Sequence, residues 1–158
     1  MNQVYQELKD KMQRIADINY AGAVLNWDQE IFMPEKGAAF RSRQLSTLSG
    51  VAHDFFTDEK IGELLKKLKN SNDLEFSERS NVREIAKDYD RKKKYSRDFV
   101  EKMSRTISES FIAWQKAKKE DDFKIFAPKL SELVQLKKEE ADLVGYEDHP
   151  YNALLEDY

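Results

Sequence analysis

Apolar residues recur three and four positions apart along almost the whole chain, the repeat that lays side chains along one face of an α-helix. Val4, Leu8, Met12, Ile15, Ile18, Gly22 and Leu25 form a first stripe, and Pro34, which disfavours the α conformation in the residue before it, stops that helix near Met33. Leu45, Leu48, Ala52 and Phe55 mark a second helix, and Thr57-Asp58-Glu59 caps a third that carries Ile61, Leu64, Leu65 and Leu68. The polar cluster Asn70-Ser71-Asn72-Asp73 reads as a hinge before a fourth helix over 77–94, with Val82, Ile85, Ala86 and Tyr89 inward. Ser96 caps a fifth, whose stripe is Phe99, Val100, Met103, Ile107, Phe111, Trp114 and Ala117. Asp121-Asp122 breaks it, and Pro128 opens a sixth helix that runs through Leu130, Leu133, Val134, Ala141 and Val144 to a stop at Gly145. Asn152 is placed to cap one more helix over 153–158, which begins without finishing, as expected for part of a larger protein. With no period-two alternation and no internal repeat, the expectation is an all-α array of about six amphipathic helices in a single domain, 1–158.

Composition agrees with that pattern. Charged residues make up 36% and apolar ones 40% of 158 residues, with only 5 Gly and 3 Pro, a mixture suited to long surface helices around one core. The net charge of −3 gives no strong steering toward nucleic acid or anionic membrane. No apolar stretch approaches the length of a bilayer span, and the N-terminus lacks a basic region followed by an apolar run. The cytoplasm is the expected location. The absence of cysteine removes disulfides, thiolate nucleophiles and cysteine metal sites.

One stretch breaks the ordinary rules. Asp28 and Glu30 fall in the last turns of the first helix, where the negative end of the helix dipole disfavours each by about 0.3 to 1 kcal/mol. Either Lys36, Arg41 or Arg43 pairs with these acids while Trp27 packs in the core, or Trp27-Asp28-Gln29-Glu30 faces a groove and helps to position a ligand or a second lobe. The small residues Ala21, Gly22 and Ala23 just before would admit a neighbouring helix at close range.

Chemistry is conspicuous by what is missing. A zincin needs two histidines four apart on one helix, with the intervening glutamate as base. Only His53 and His149 exist, and Ser49 and Thr57 flank His53 at that spacing. His53 reads as a partly buried structural histidine, and His149, before Pro150, as a backbone hydrogen-bonding residue in a turn. The glycines are isolated, so no phosphate loop is encoded. No catalytic or metal-binding residue is assigned. The run Arg91-Lys92-Lys93-Lys94-Tyr95 could serve an RNA-binding helical domain, but it closes a helix behind Asp88 and Asp90 and reads better as a solvated helix end.

The motifs Trp27-Asp28-Gln29-Glu30, Gln44-Leu45-Ser46-Thr47-Leu48-Ser49, Asn81-Val82-Arg83-Glu84 and Phe123-Lys124-Ile125-Phe126-Ala127-Pro128 occur in this order, followed by Lys137-Lys138-Glu139-Glu140-Ala141 and the segment 149–158. In that order they resemble the M32 metallocarboxypeptidases, the thermostable carboxypeptidase Taq family, along nearly the whole chain. The resemblance implies the N-terminal helical region of a zincin-like, groove-shaped peptidase, about the first third of the family's length. It implies a cytoplasmic homodimer that removes C-terminal amino acids from peptides, with zinc or cobalt held by a His-Glu-x-x-His helix and a further glutamate. That helix is absent here, so the resemblance leaves this chain as a groove wall or lid that is inactive alone and acts with the remainder of the parent peptidase. A stand-alone helical interaction module is the alternative.

Overall fold

The computed structural model describes residues 2–157. Six α-helices occur among them, α1 (Gln3–Ile31), α2 (Ala38–Phe56), α3 (Glu59–Lys69), α4 (Phe76–Lys92), α5 (Arg97–Glu120) and α6 (Ala127–Val144), with no strand. Short 3-10 turns occupy Glu35–Gly37, Phe123–Ile125 and Pro150–Asp157. The all-α expectation holds, and the helix boundaries follow local chemistry. Asn2 caps α1 by accepting from the amides of Val4 and Tyr5, Asp58 caps α3 at Lys60, and Ser96 caps α5 at Phe99. Glu75 and Glu78 close a reciprocal capping box on α4. Asp121, in the left-handed region at φ 51°, ends α5.

The C-terminal expectation is corrected. Residues Pro150–Asp157 form a 3-10 turn rather than a capped α-helix, and Asn152 lies inside it with its side-chain amide on the Glu147 carbonyl. Tyr158, the last residue of the expected helix, lies outside the described residues.

The apolar core sits at one end of the molecule. Leu8 and Ile15 of α1, Phe56 of α2, Ile61, Leu64, Leu65 and Leu68 of α3, Leu74, and Val82 and Tyr89 of α4 form one buried cluster. Phe56 occupies the inward place expected of Phe55, which is exposed, because one residue of register moves a helical side chain by 100°. Gly62 lets Tyr89 lie against α3, since a Cβ there would come within 2.6 Å of the phenol oxygen.

The second half of α1 lies over α2 and reaches α5 through Gln29, and that end is held together differently. Ser42, Ser46, Ser49, Gly50 and His53 lie along α2 at helical spacing. Ser46 donates to the Glu101 carbonyl at 2.9 Å, Ser49 and Ser104 hydroxyls meet at 2.9 Å, and a Cβ on Gly50 would strike the Glu101 side chain at 2.3 Å. Small polar residues therefore bring α2 and α5 together. On α5 the buried positions include Thr106, Ser108 and Ser110, while Ile107 and Trp114, expected inside, are exposed; on α6 Leu136 and Ala141 are buried, and Leu130 and Val134 are exposed.

Candidate functional site

Residues 27 to 30 occupy the last two turns of α1, where successive side chains point in different directions, and the structure separates them accordingly. Asp28 pairs with Arg41 of α2 at 2.5 Å. Arg41, largely buried, also donates to the Leu25 carbonyl and to Gln44 Oε1 (3.2 Å), so one guanidinium ties the last turns of α1, through a carboxylate and a backbone carbonyl, to α2. Gln29 is buried, its Oε1 accepting from the Ser108 hydroxyl of α5 at 2.7 Å. Trp27 does not enter the core: it is 58% exposed and meets Phe32 edge to face at 5.5 Å. Glu30 faces solvent.

Beside this stretch, α1, α2 and α5 enclose an open cavity of about 450 Å³. Ile18, Gly22 and Asn26 line it from α1, Leu45 from α2, and Phe99 and Met103 from α5. Gly22 belongs to this wall: a Cβ there would meet nothing within 4 Å, so the small residues at 21–23 admit no close helix within the described residues. None of residues 27 to 30 lines the cavity, whereas Asn26 does.

The polar end of the cavity is Tyr95 with Glu140. The Tyr95 hydroxyl donates to Glu140 Oε1 at 3.1 Å and accepts from Arg91 Nε at 3.2 Å, and Lys137 donates to Glu140 Oε2 at 2.7 Å. Burial pushes the Tyr95 phenol up to about 12. His53 Nε2 lies 3.0 Å from the Tyr95 carbonyl, which can only accept, so Nε2 carries the proton. Burial holds this imidazole below its ordinary value, with the bond to Tyr95 and the charge of Asp54 opposing.

These groups hold elements together. Both Glu140 oxygens are occupied, and His53 joins α2 to the start of α5. The Tyr95–Glu140 link has no signature in the sequence, whereas the small residues at 42, 46, 49 and 50 do signal a close helix approach. His149 Nδ1 accepts from the Tyr151 amide at 3.1 Å, the turn role expected of it. In the basic run, Lys92 lies over the Phe56 ring, Lys93 over the Tyr89 ring, and Lys94 donates to the Val144 carbonyl at 2.6 Å. Among the described residues no group of three His, Asp or Glu side chains could hold a metal ion.

The sequence pattern of the carboxypeptidase Taq (M32) metallopeptidase family matches residues 7–158. The chain belongs to this family. Its M32 relatives include thermostable carboxypeptidase 1 of Pyrococcus furiosus, 34% identical over 157 residues, and thermostable carboxypeptidase 1 of Thermus thermophilus, 31% identical over 166 residues. These alignments cover 99% and 98% of this chain but 32% of each relative. Among solved structures, BsuCP superposes with a TM-score of 0.95 at 28% identity, over 99% of this chain and 32% of its own. The carboxypeptidase of Pyrococcus furiosus superposes with a TM-score of 0.77 at 34% identity, over all of this chain and 32% of its own. The chain thus spans about a third of the length of the M32 proteins it matches. M32 carboxypeptidases are metal-dependent, and the described residues do not fit a metal site of their own. No described helix is long and apolar enough to cross a membrane.

Proposed function

We propose that this chain serves as the N-terminal portion of a metal-dependent carboxypeptidase of broad specificity, forming a wall or lid of the groove that receives a peptide's C-terminal end. The observation that carries the reading is the family match over residues 7–158 to only 32% of each relative. Alone the chain is inactive in this reading, because it lacks the two histidines four apart on one helix, with a glutamate between them, that a zincin requires. Zinc or cobalt belongs to the remainder of the parent, as does the general base. The parent works in the cytoplasm as a homodimer on peptide substrates. In this reading residues 27 to 30 are structural at Asp28 and Gln29, which tie α1 to α2 and α5, and presented outward at Trp27 and Glu30.

A chimera tests the proposal. This chain replaces the matching third of the Pyrococcus furiosus enzyme, and release of C-terminal amino acids from a peptide is followed with and without a chelator. Chelator-sensitive release by the chimera, with none by the 158-residue chain alone, is the expected result. A folded, metal-loaded chimera that releases nothing, or release by the chain alone, overturns it.

A further inference from the structure

The second half of α1 carries an apolar face that no described residue covers. Tyr20, Val24, Trp27 and Ile31 stand between 58% and 70% exposed, and Phe32 continues the patch through its ring contact with Trp27. Their spacings of four, three and four are those of a seam between paired helices. The positions beside the seam are Ala21 and Ala23 toward its start and Asp28 and Glu30 toward its end. Small flanks permit close approach, and Glu30, exposed where Asp28 is already paired with Arg41, favours a neutral or basic neighbour. Single exposed apolar residues are ordinary on a protein surface, but a row of them along one helix marks an interaction site.

We infer that this seam is the docking face for an apolar-faced helix from the remaining two thirds of an M32 polypeptide. The inference rests on the reading of the chain as an N-terminal portion. Length supplies the argument for the occupant. In BsuCP the same backbone arrangement, at a TM-score of 0.95, exists inside a chain of which this one covers 32%, so about twice as much polypeptide again belongs to that chain and must pack somewhere. A face with this row of exposed apolar side chains gains by being covered, since burial of such surface drives association.

The chain has no cysteine, so one introduced thiol reports one position. Val24→Cys and Ile31→Cys are made in the 158-residue chain and in the Pyrococcus furiosus chimera, with any cysteine of the relative's part replaced by serine. Thiol labelling is timed in each and normalised to the urea-unfolded protein, and the mass of the chain alone is measured by light scattering. The expected result is fast labelling of a monomeric 158-residue chain and at least tenfold slower labelling of both thiols in the chimera. Fast labelling in a folded chimera overturns the inference. So does a 158-residue chain that self-associates and protects both thiols, which makes a second copy the occupant. A chimera that protects the thiols and hydrolyses nothing leaves the docking face standing and removes the enzymatic reading.

Discussion

Arg41 ties the end of α1 to α2. Its guanidinium reaches the Asp28 carboxylate, the Leu25 carbonyl and the Gln44 side chain, and its own side chain is 13% exposed. Hydrogen bonds to charged groups contribute about 1.5 to 3 kcal/mol when partly buried, against about 0 to 1 kcal/mol for an exposed ion pair. The half-exposed carboxylate places this site toward the lower end of the first range. Arg41→Met, which keeps the buried stem but loses the fork, should lower unfolding stability by about 1 to 2 kcal/mol in urea titration. Arg41→Lys should recover less than half of that, because an ammonium cannot span two acceptors in one plane. Equal stability of all three proteins would mean that the fork adds nothing. The pairing of Asp28 with a cation just past the turn was legible in the sequence as one of three candidates. Of the two places open to Trp27 in the sequence, register excludes the core. Positions 8, 15, 22 and 29 recur every seven residues on one face, so Gln29 continues the inward stripe and Trp27, two residues earlier, turns outward.

The pairing of α2 with α5 depends on a small-residue seam that ends in His53. There the imidazole donates to the Tyr95 carbonyl at the head of α5, and Asp54 pairs with Arg97 one residue further on. Burial lowers the His53 pKa from 6.5; the Tyr95 bond and Asp54 oppose, and Lys92 assists. The folded state therefore binds the proton less well than the unfolded chain does. The contribution of the neutral histidine is intact above the unfolded pKa and is lost as pH falls through the lower folded value. Thermal unfolding should show a midpoint that falls between about pH 7 and pH 5. In His53→Gln, whose amide can still donate to the Tyr95 carbonyl, that fall should be shallower, and identical slopes would exclude His53 as the titrating group. At this scale the sequence yielded helix number, most boundaries and the buried character of His53. It yielded the ends of the inner face of α5, Phe99 and Ala117, but not its middle, because Thr106, Ser108 and Ser110 are buried there while Ile107 and Trp114 stay outside. Hydrophobic periodicity cannot find an interface that two polar helices make with each other.

The two ends of the molecule are unequally provided with apolar packing. The end built on the first half of α1 with α3 and α4 buries Leu8, Ile61, Leu64 and Leu68 to 2% exposure or less. At the other end, polar side chains make much of the α2–α5 contact, Ser110 Oγ is buried without a partner among the described residues, and Val24 and Trp27 of α1 and Ile107 and Trp114 of α5 face outward. An unpartnered buried hydroxyl costs about 1 to 3 kcal/mol, and few apolar contacts offset it here. Local opening should follow this difference, since regions with few buried apolar contacts open at lower free energy than the core. In hydrogen exchange of the 158-residue chain, amides of α3 and the first half of α1 should be the slowest. Those of α6 and the second half of α5 should exchange about tenfold faster or more, a gap of roughly 1.4 kcal/mol or more in opening free energy. If the outward faces are surfaces meant to be covered, the same amides in the Pyrococcus furiosus chimera should slow while those of α3 change little. Protection in α5 and α6 equal to that in α3 in the chain alone would mean that this end already holds itself together, and that its exposed apolar residues are an ordinary surface.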